Sequence, residues 1–174
     1  MNDTETLLPV GRFLHTLEIV RREGRHLAFS RRRLFGEPIS AEWVEGLEQH
    51  PELADRLEAF VSRFGRMQDT VADKLLPRWL QALAETPGTQ IENLNRAERL
   101  GVVESTEQWL AARKLRNRMV HEYMDDPAAF AAALLMADGF SGMLFGTYAR
   151  VRAFAHQRMG IEPTALPPEL QDAH

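Results

Sequence analysis

At 174 residues the chain is long enough for one domain with its own core and too short for two large ones. It has no cysteine, which excludes disulfides, zinc ribbons and thiol nucleophiles, and its net charge of −4 excludes a uniformly cationic nucleic-acid binder. No apolar run is expected to approach the ~18 residues of a membrane span, and Met1-Asn2-Asp3-Thr4-Glu5 lacks the basic start of a signal peptide, so the expected compartment is the cytoplasm.

The periodicity is helical from end to end. Phe13, Leu17, Val20, Leu27 and Leu34 recur at spacings of three to four or their multiples, which predicts a first helix from about Gly11 to Phe35. Gly36-Glu37-Pro38 stops it, and Ser40 can cap a short helix holding Trp43, Val44 and Leu47. Pro51 suits a first helical position. The helix it opens is expected to reach about Ala84, with Leu53, Leu57, Phe60, Phe64, Met67 and Val71 on one face and a kink at Pro77. Thr86-Pro87-Gly88-Thr89 ends that helix, and a short one over about Glu92–Leu100 stops at Gly101. Ser105-Thr106-Glu107-Gln108 reads as a capping box opening a helix over about residues 105–124. Asp126-Pro127 then caps and starts a last helix to about Met159, whose Gly142-x-x-x-Gly146 spacing lets another helix approach. Beyond Gly160, Pro163, Pro167 and Pro168 predict an irregular tail. The expected fold is all-α, an antiparallel bundle of four or five helices, with one helical domain over residues 1–159 and a tail over 160–174.

Charge is unevenly placed. Residues 11–35 carry seven arginines (12, 21, 22, 25, 31, 32 and 33) against Glu18 and Glu23, a local balance of +5. Such a run can mark a face for a polyanion, although it is more often a solvated helix face. Trp43, Trp79 and Trp109 sit at core-compatible positions, and His15, His26, His50, His156 and His174 have no spaced partners and read as surface residues.

The densest chemistry lies between Arg113 and Tyr123, where Arg113, Lys114, Arg116, Asn117, Arg118, His121 and Tyr123 share one predicted helix. At about 100° per residue, Trp109, Ala112, Met119, Val120 and Tyr123 form one arc, and Arg116 falls in its middle. A guanidinium there must find a partner, because leaving it unpaired on an apolar face is costly. Asp69 and Asp73, one turn apart on the long helix, are candidates for that partner. They could alternatively hold a divalent cation. Asn117 and His121, also one turn apart, can pair so that the amide orients the imidazole. Histidine and arginine together suffice for cleaving RNA without a metal or other cofactor. The imidazole moves a proton near neutrality, and the guanidinium fork matches two phosphate oxygens. Two copies paired across a twofold axis would supply two of each to one groove.

Arg116-Asn117-Arg118-Met119-Val120-His121-Glu122-Tyr123 resembles the Arg-x4-His-x-Tyr signature of HEPN-domain proteins, in particular the HepT-like toxins and the related nucleotidyltransferase substrate-binding proteins. The flanking Trp109-Leu110-Ala111-Ala112 and Asp125-Asp126-Pro127, and the earlier Asn93-Leu94-Asn95-Arg96, are similar to that group as well, over roughly residues 52–155. The resemblance implies a bundle that dimerises around the motif helix and cleaves RNA in the groove between protomers. Arg116 and His121 would be catalytic, Asn117 would support them, and Lys114, Arg118 and Arg113 would contact RNA. Tyr123 matches the tyrosine that an MntA-type nucleotidyltransferase antitoxin modifies with AMP, silencing the toxin. The group also contains non-catalytic subunits that dock a nucleotidyltransferase, and a helical interaction protein with a vestigial motif is a third reading.

Overall fold

The computed structural model describes residues 8–122 and 125–171, apart from the side chains of residues 120–122. Among the described residues the chain is helix, turn and irregular backbone, with no strand. Helix α1 runs Pro9–Leu34, with proline at its first turn and Arg31, Arg32 and Arg33 in its last turn, where cations suit the carbonyl end of the helix dipole. Phe13, Leu17, Val20, Leu27 and Leu34 are all buried, as their spacing required. Helix α2 (Ala41–Glu45) begins where expected, with the Ser40 hydroxyl accepting from the Trp43 N–H at 3.2 Å, and tightens into a 3₁₀ turn over Gly46–Gln49.

Helix α3 spans Pro51–Thr70 and continues through one π turn, Val71–Leu75, into α4, Leu76–Ala82. The expected kink at Pro77 thus takes the form of a widened turn just before it. Proline lacks an N–H and crowds the carbonyl one turn back, and a π turn, here with the Leu76 N–H on the Val71 carbonyl, opens the backbone at that point. The rod ends at Ala82 rather than Ala84, because Ala84 turns left-handed at φ 60° and lets the Glu85 N–H close on the Leu80 carbonyl at 2.9 Å.

Helix α5 (Gln90–Arg99) starts two residues earlier than expected. Its cap is a reciprocal Thr89–Glu92 box, and the buried Asn93 side chain holds the preceding loop by bonding both the N–H and the carbonyl of Gly88. Helix α6 (Thr106–Glu122) opens on Ser105, whose hydroxyl accepts from the Gln108 N–H, and carries the motif. Helix α7 (Pro127–Gln157) opens on Asp126, whose carboxylate accepts from the Ala129 N–H at 3.1 Å.

Counting α3 and α4 as one rod, six helices make up the described fold where four or five were expected, the shortest being α2. α7 packs against α1, α2, α3 and α6, while α1 lies along α3 and α4. Trp79 and Trp109 are fully buried as expected, and Trp43 is half-buried at the edge of the same core. His15, His26, His50 and His156 are exposed as expected, and His174 lies outside the described residues.

One expectation needs correction. α7 is long and apolar enough to cross a membrane by length and composition, with an 18-residue window of mean hydropathy 1.6. Asp138, Gly139, Ser141 and Gly142 interrupt this run in the sequence. Half of that window is buried against the other helices, which gives α7 the part of a central core helix.

The segment after Gly160 is irregular apart from a 3₁₀ turn at Pro163–Ala165, yet it is laid firmly against the bundle. The Tyr148 hydroxyl donates to the Pro168 carbonyl at 2.6 Å, the Arg152 Nε–H donates to the Pro167 carbonyl at 2.7 Å, and Leu170 packs on Gly24. Burial pushes the Tyr148 phenol up from 10.0 to about 12, with Arg152 and Arg21 opposing the shift. A phenol whose folded value is raised favours folding fully below its unfolded value and progressively less as pH climbs through the folded one. Tyr148→Phe should cost about 1 kcal/mol at pH 8 by thermal unfolding, with earlier proteolytic nicking of the tail. Between pH 10 and about 12 the wild type should lose a stability contribution that the variant never had.

Candidate functional site

A polar seam joins α3 to α6. The buried residues Trp109, Ala112, Leu115 and Met119 turn α6 into the core, and Arg116 sits among them with its side chain 32% exposed. The side chain escapes the apolar interior by crossing α3 at Gly65. A Cβ on that glycine would lie 2.6 Å from Arg116 Nε, so no larger residue leaves room for the guanidinium where it is. One turn further along α3, Arg116 Nη1 donates to Asp69 Oδ1 at 2.8 Å. Asp69 is thus the neutralising carboxylate that the apolar arc of α6 demanded.

Asp73 is drawn into the seam by a different route. It accepts from Gln90 Nε2 at 2.7 Å, and Gln90 in turn accepts from Arg113. The later carboxylate thus serves the earlier arginine, the register of two antiparallel helices. With Asp69 engaged by Arg116 and Asp73 by Gln90, each carboxylate already has a partner of its own. Among the described residues no three His, Asp or Glu side chains converge as a metal would require.

The Asp69–Arg116 pair opens onto a cleft of about 330 Å³, lined also by Ser62, Arg66, Thr70, Asp73 and Lys74. Three cations face two carboxylates there, a small positive excess. Because the two partners are 32% and 49% exposed, water screens their attraction, and the pair is worth only about 0.2–1 kcal/mol of stability. Its importance lies in where it holds the guanidinium. Beneath the cleft, Glu23 accepts from the Thr70 hydroxyl at 2.8 Å while its second oxygen is buried without a partner. Burial pushes its carboxyl up, and Thr70, Arg66 and Lys74 pull it back. Gln68, 3% exposed, has neither amide atom hydrogen-bonded, an expensive residue to keep in a core.

Of the remaining motif residues, Arg113, Lys114, Asn117 and Arg118 are exposed along the outer side of α6. His121 belongs to the last turn of α6 and its side chain falls outside the described residues, as does the whole of Tyr123. The structure therefore joins Arg116 to Asp69, while the expected Asn117–His121 and Arg116–Tyr123 neighbours lie outside what it describes. Gly65, Arg66, Thr70 and Lys74 were not singled out from sequence as site residues. The signal was present, since Ser62, Arg66, Asp69, Thr70 and Asp73 recur at helical spacing beside the apolar face of α3.

Gly65→Ala tests the notch. Alanine's better helix preference, about 1 kcal/mol, offsets the displacement of a flexible side-chain end, so stability should stay within about 1 kcal/mol of wild type. The guanidinium should leave Asp69, visible as a moved Arg116 Nε–H resonance; an unmoved resonance would show that the glycine does not set its place. Compared with protein-family models, with curated proteins and with solved structures, the chain finds no match.

Proposed function

We propose that this chain is a HEPN-type ribonuclease toxin of the HepT-like kind, acting in the cytoplasm as a homodimer and cleaving RNA without a metal or other cofactor. The observation that carries the proposal is the Arg116 guanidinium, threaded past Gly65 and held by Asp69 at the mouth of an open cleft with a small positive excess. Arginines that serve only as solvated surface do not need a glycine notch. Arg116 and His121 are five residues apart on α6, about 7.5 Å along its axis and about 140° around it, so one helix does not aim both at one phosphate and the proposed groove needs a second copy.

In the proposed reaction His121 takes the proton of a ribose 2′-hydroxyl and the 2′-oxygen forms a bond to phosphorus. The bond from phosphorus to the 5′-oxygen breaks, and the imidazolium of the partner's His121 protonates the leaving oxygen. The products are a 2′,3′-cyclic phosphate and a 5′-hydroxyl. Arg116 offsets the charge that builds on the phosphoryl oxygens, Asn117 orients the imidazole, and Lys114, Arg118 and Arg113 hold flanking phosphates. Modification of Tyr123 with AMP by an MntA-type nucleotidyltransferase antitoxin would put a bulky negative group beside these cations and close the groove.

A homodimer is supported by α7, which flanks the motif helix. Leu135 and Met136 are exposed, and with Gly139, Phe140 and Met143 they form an uncharged outer strip. Asp125 and Asp126 precede α7 while Arg158 follows it, so antiparallel copies bring opposite charges together.

The Asp69 contact also favours a second reading. A guanidinium already paired is partly neutralised, as suits a non-catalytic subunit that docks a nucleotidyltransferase. Cleavage of total and transfer RNA in EDTA separates the two. The proposal expects cleavage by the wild type and a loss of about 100-fold or more in Arg116→Ala and His121→Ala, each folded by circular dichroism. A well-folded, unmodified wild-type dimer that leaves both RNAs intact supports the docking subunit.

A further inference from the structure

Four of the seven arginines of α1 share one side of the helix, while Arg31 turns to Asp138 on α7. Arg21, Arg22, Arg25 and Arg32 gather on one side, and Arg63 of α3 joins them in a cleft of about 970 Å³ whose far wall is the C-terminal tail. Glu169 is the one carboxylate among its described lining residues, and it faces Arg152 at 3.5 Å. On a chain of net charge −4, this is a strong local concentration of positive charge.

Two details distinguish it from an ordinary basic surface. Arg21 and Arg22 share Glu18, the neutralisation expected of a solvated helix face, but Arg63 is held by uncharged acceptors. Its Nη1 donates to Ser30 Oγ at 2.6 Å and to the His26 carbonyl at 3.3 Å. Those bonds orient the guanidinium without cancelling its charge. The second detail is Phe29, 47% exposed on the same stripe, four residues from Arg25 and three from Arg32, with Arg33 over its ring at 5.5 Å. The contact with Arg33 is worth only about 0.5–1 kcal/mol at an exposed site, and it leaves Phe29 47% exposed. A groove that combines positive charge with an accessible ring suits a strand whose bases are free to stack while its phosphates pair with arginine.

We infer that this cleft is a binding site for single-stranded nucleic acid, separate from the Arg116 cleft. Arg63 and Asp69 are six residues apart, about 120° around α3, so the two clefts open on different faces of that helix. The inference does not depend on the ribonuclease reading. A duplex hides its bases from Phe29, and an anionic lipid surface has none to offer.

Fluorescence anisotropy with a labelled 2′-O-methyl oligouridine, which cannot be cleaved through its 2′-oxygen, tests it. Wild type should bind with an affinity that falls as salt rises. Arg25→Ala combined with Arg63→Ala should weaken binding at least about tenfold, and Phe29→Ala at least about fivefold, while Arg12→Ala, at an exposed position of α1 outside the cleft, retains most of it. Arg25→Ala alone, at an exposed position, should weaken binding measurably even if the double variant folds poorly. Unchanged binding in the cleft variants overturns the inference, as does loss confined to Arg116→Ala. Tighter binding to a duplex of equal length, or to phosphatidylserine vesicles in place of the oligonucleotide, also overturns it.

Discussion

An arginine placed on the apolar arc of a helix has to be conducted out of the core, and the geometry around Arg116 follows from that requirement. α6 must bury Trp109, Ala112, Leu115 and Met119, which fixes its rotation and aims Arg116 at α3. α3 answers with a glycine at the crossing and a carboxylate one turn beyond it. Filling the notch displaces the guanidinium, and removing the carboxylate leaves a half-buried cation with less to hold it. The contact contributes little to stability because it is open to water, so its effect is felt in the position of a charge.

The rest of the bundle makes that position rigid. α7 packs on both α6 and α3, the two helices that carry the seam. α3 passes Pro77 through a π turn without stopping, so Asp73, inside that turn, stays in line with the seam and meets Gln90 at the start of α5. The same α3 presents Arg63 to α1 on another side. One helix thereby lines two arginine-bearing clefts, and the tail, anchored by Tyr148 and Arg152, walls the second. In the proposed ribonuclease the first cleft does the chemistry and the second gives a flexible strand a further hold.

Most of the helices were legible because their caps and stripes are strong local signals. Ser40, Ser105 and Asp126 each cap the helix they were expected to cap, and the α1 and α3 stripes are buried nearly residue for residue. The Arg116–Asp69 contact was legible too, because a charge on an apolar arc needs a partner and few carboxylates lay at suitable spacing. What escaped notice depends on three-dimensional crossing. Gly65 matters only where another helix passes over it, and Arg63 joins the α1 arginines only once α1 and α3 lie side by side. Ala84, an ordinary helix former, ends α4 in a left-handed turn that residue type does not announce. The membrane-length character of α7 is hidden by Asp138, Gly139, Ser141 and Gly142, which break its apolar run.

The most direct measurement follows the arginine Nε–H resonances while a 2′-O-methyl oligonucleotide is added to the wild type and to Asp69→Asn. If Arg116 is held ready for a phosphate, its resonance shifts saturably in the wild type and less in the variant. Shifts confined to Arg25 and Arg63, with Arg116 unmoved throughout, would contradict the proposed role of the α3–α6 seam as a phosphate site.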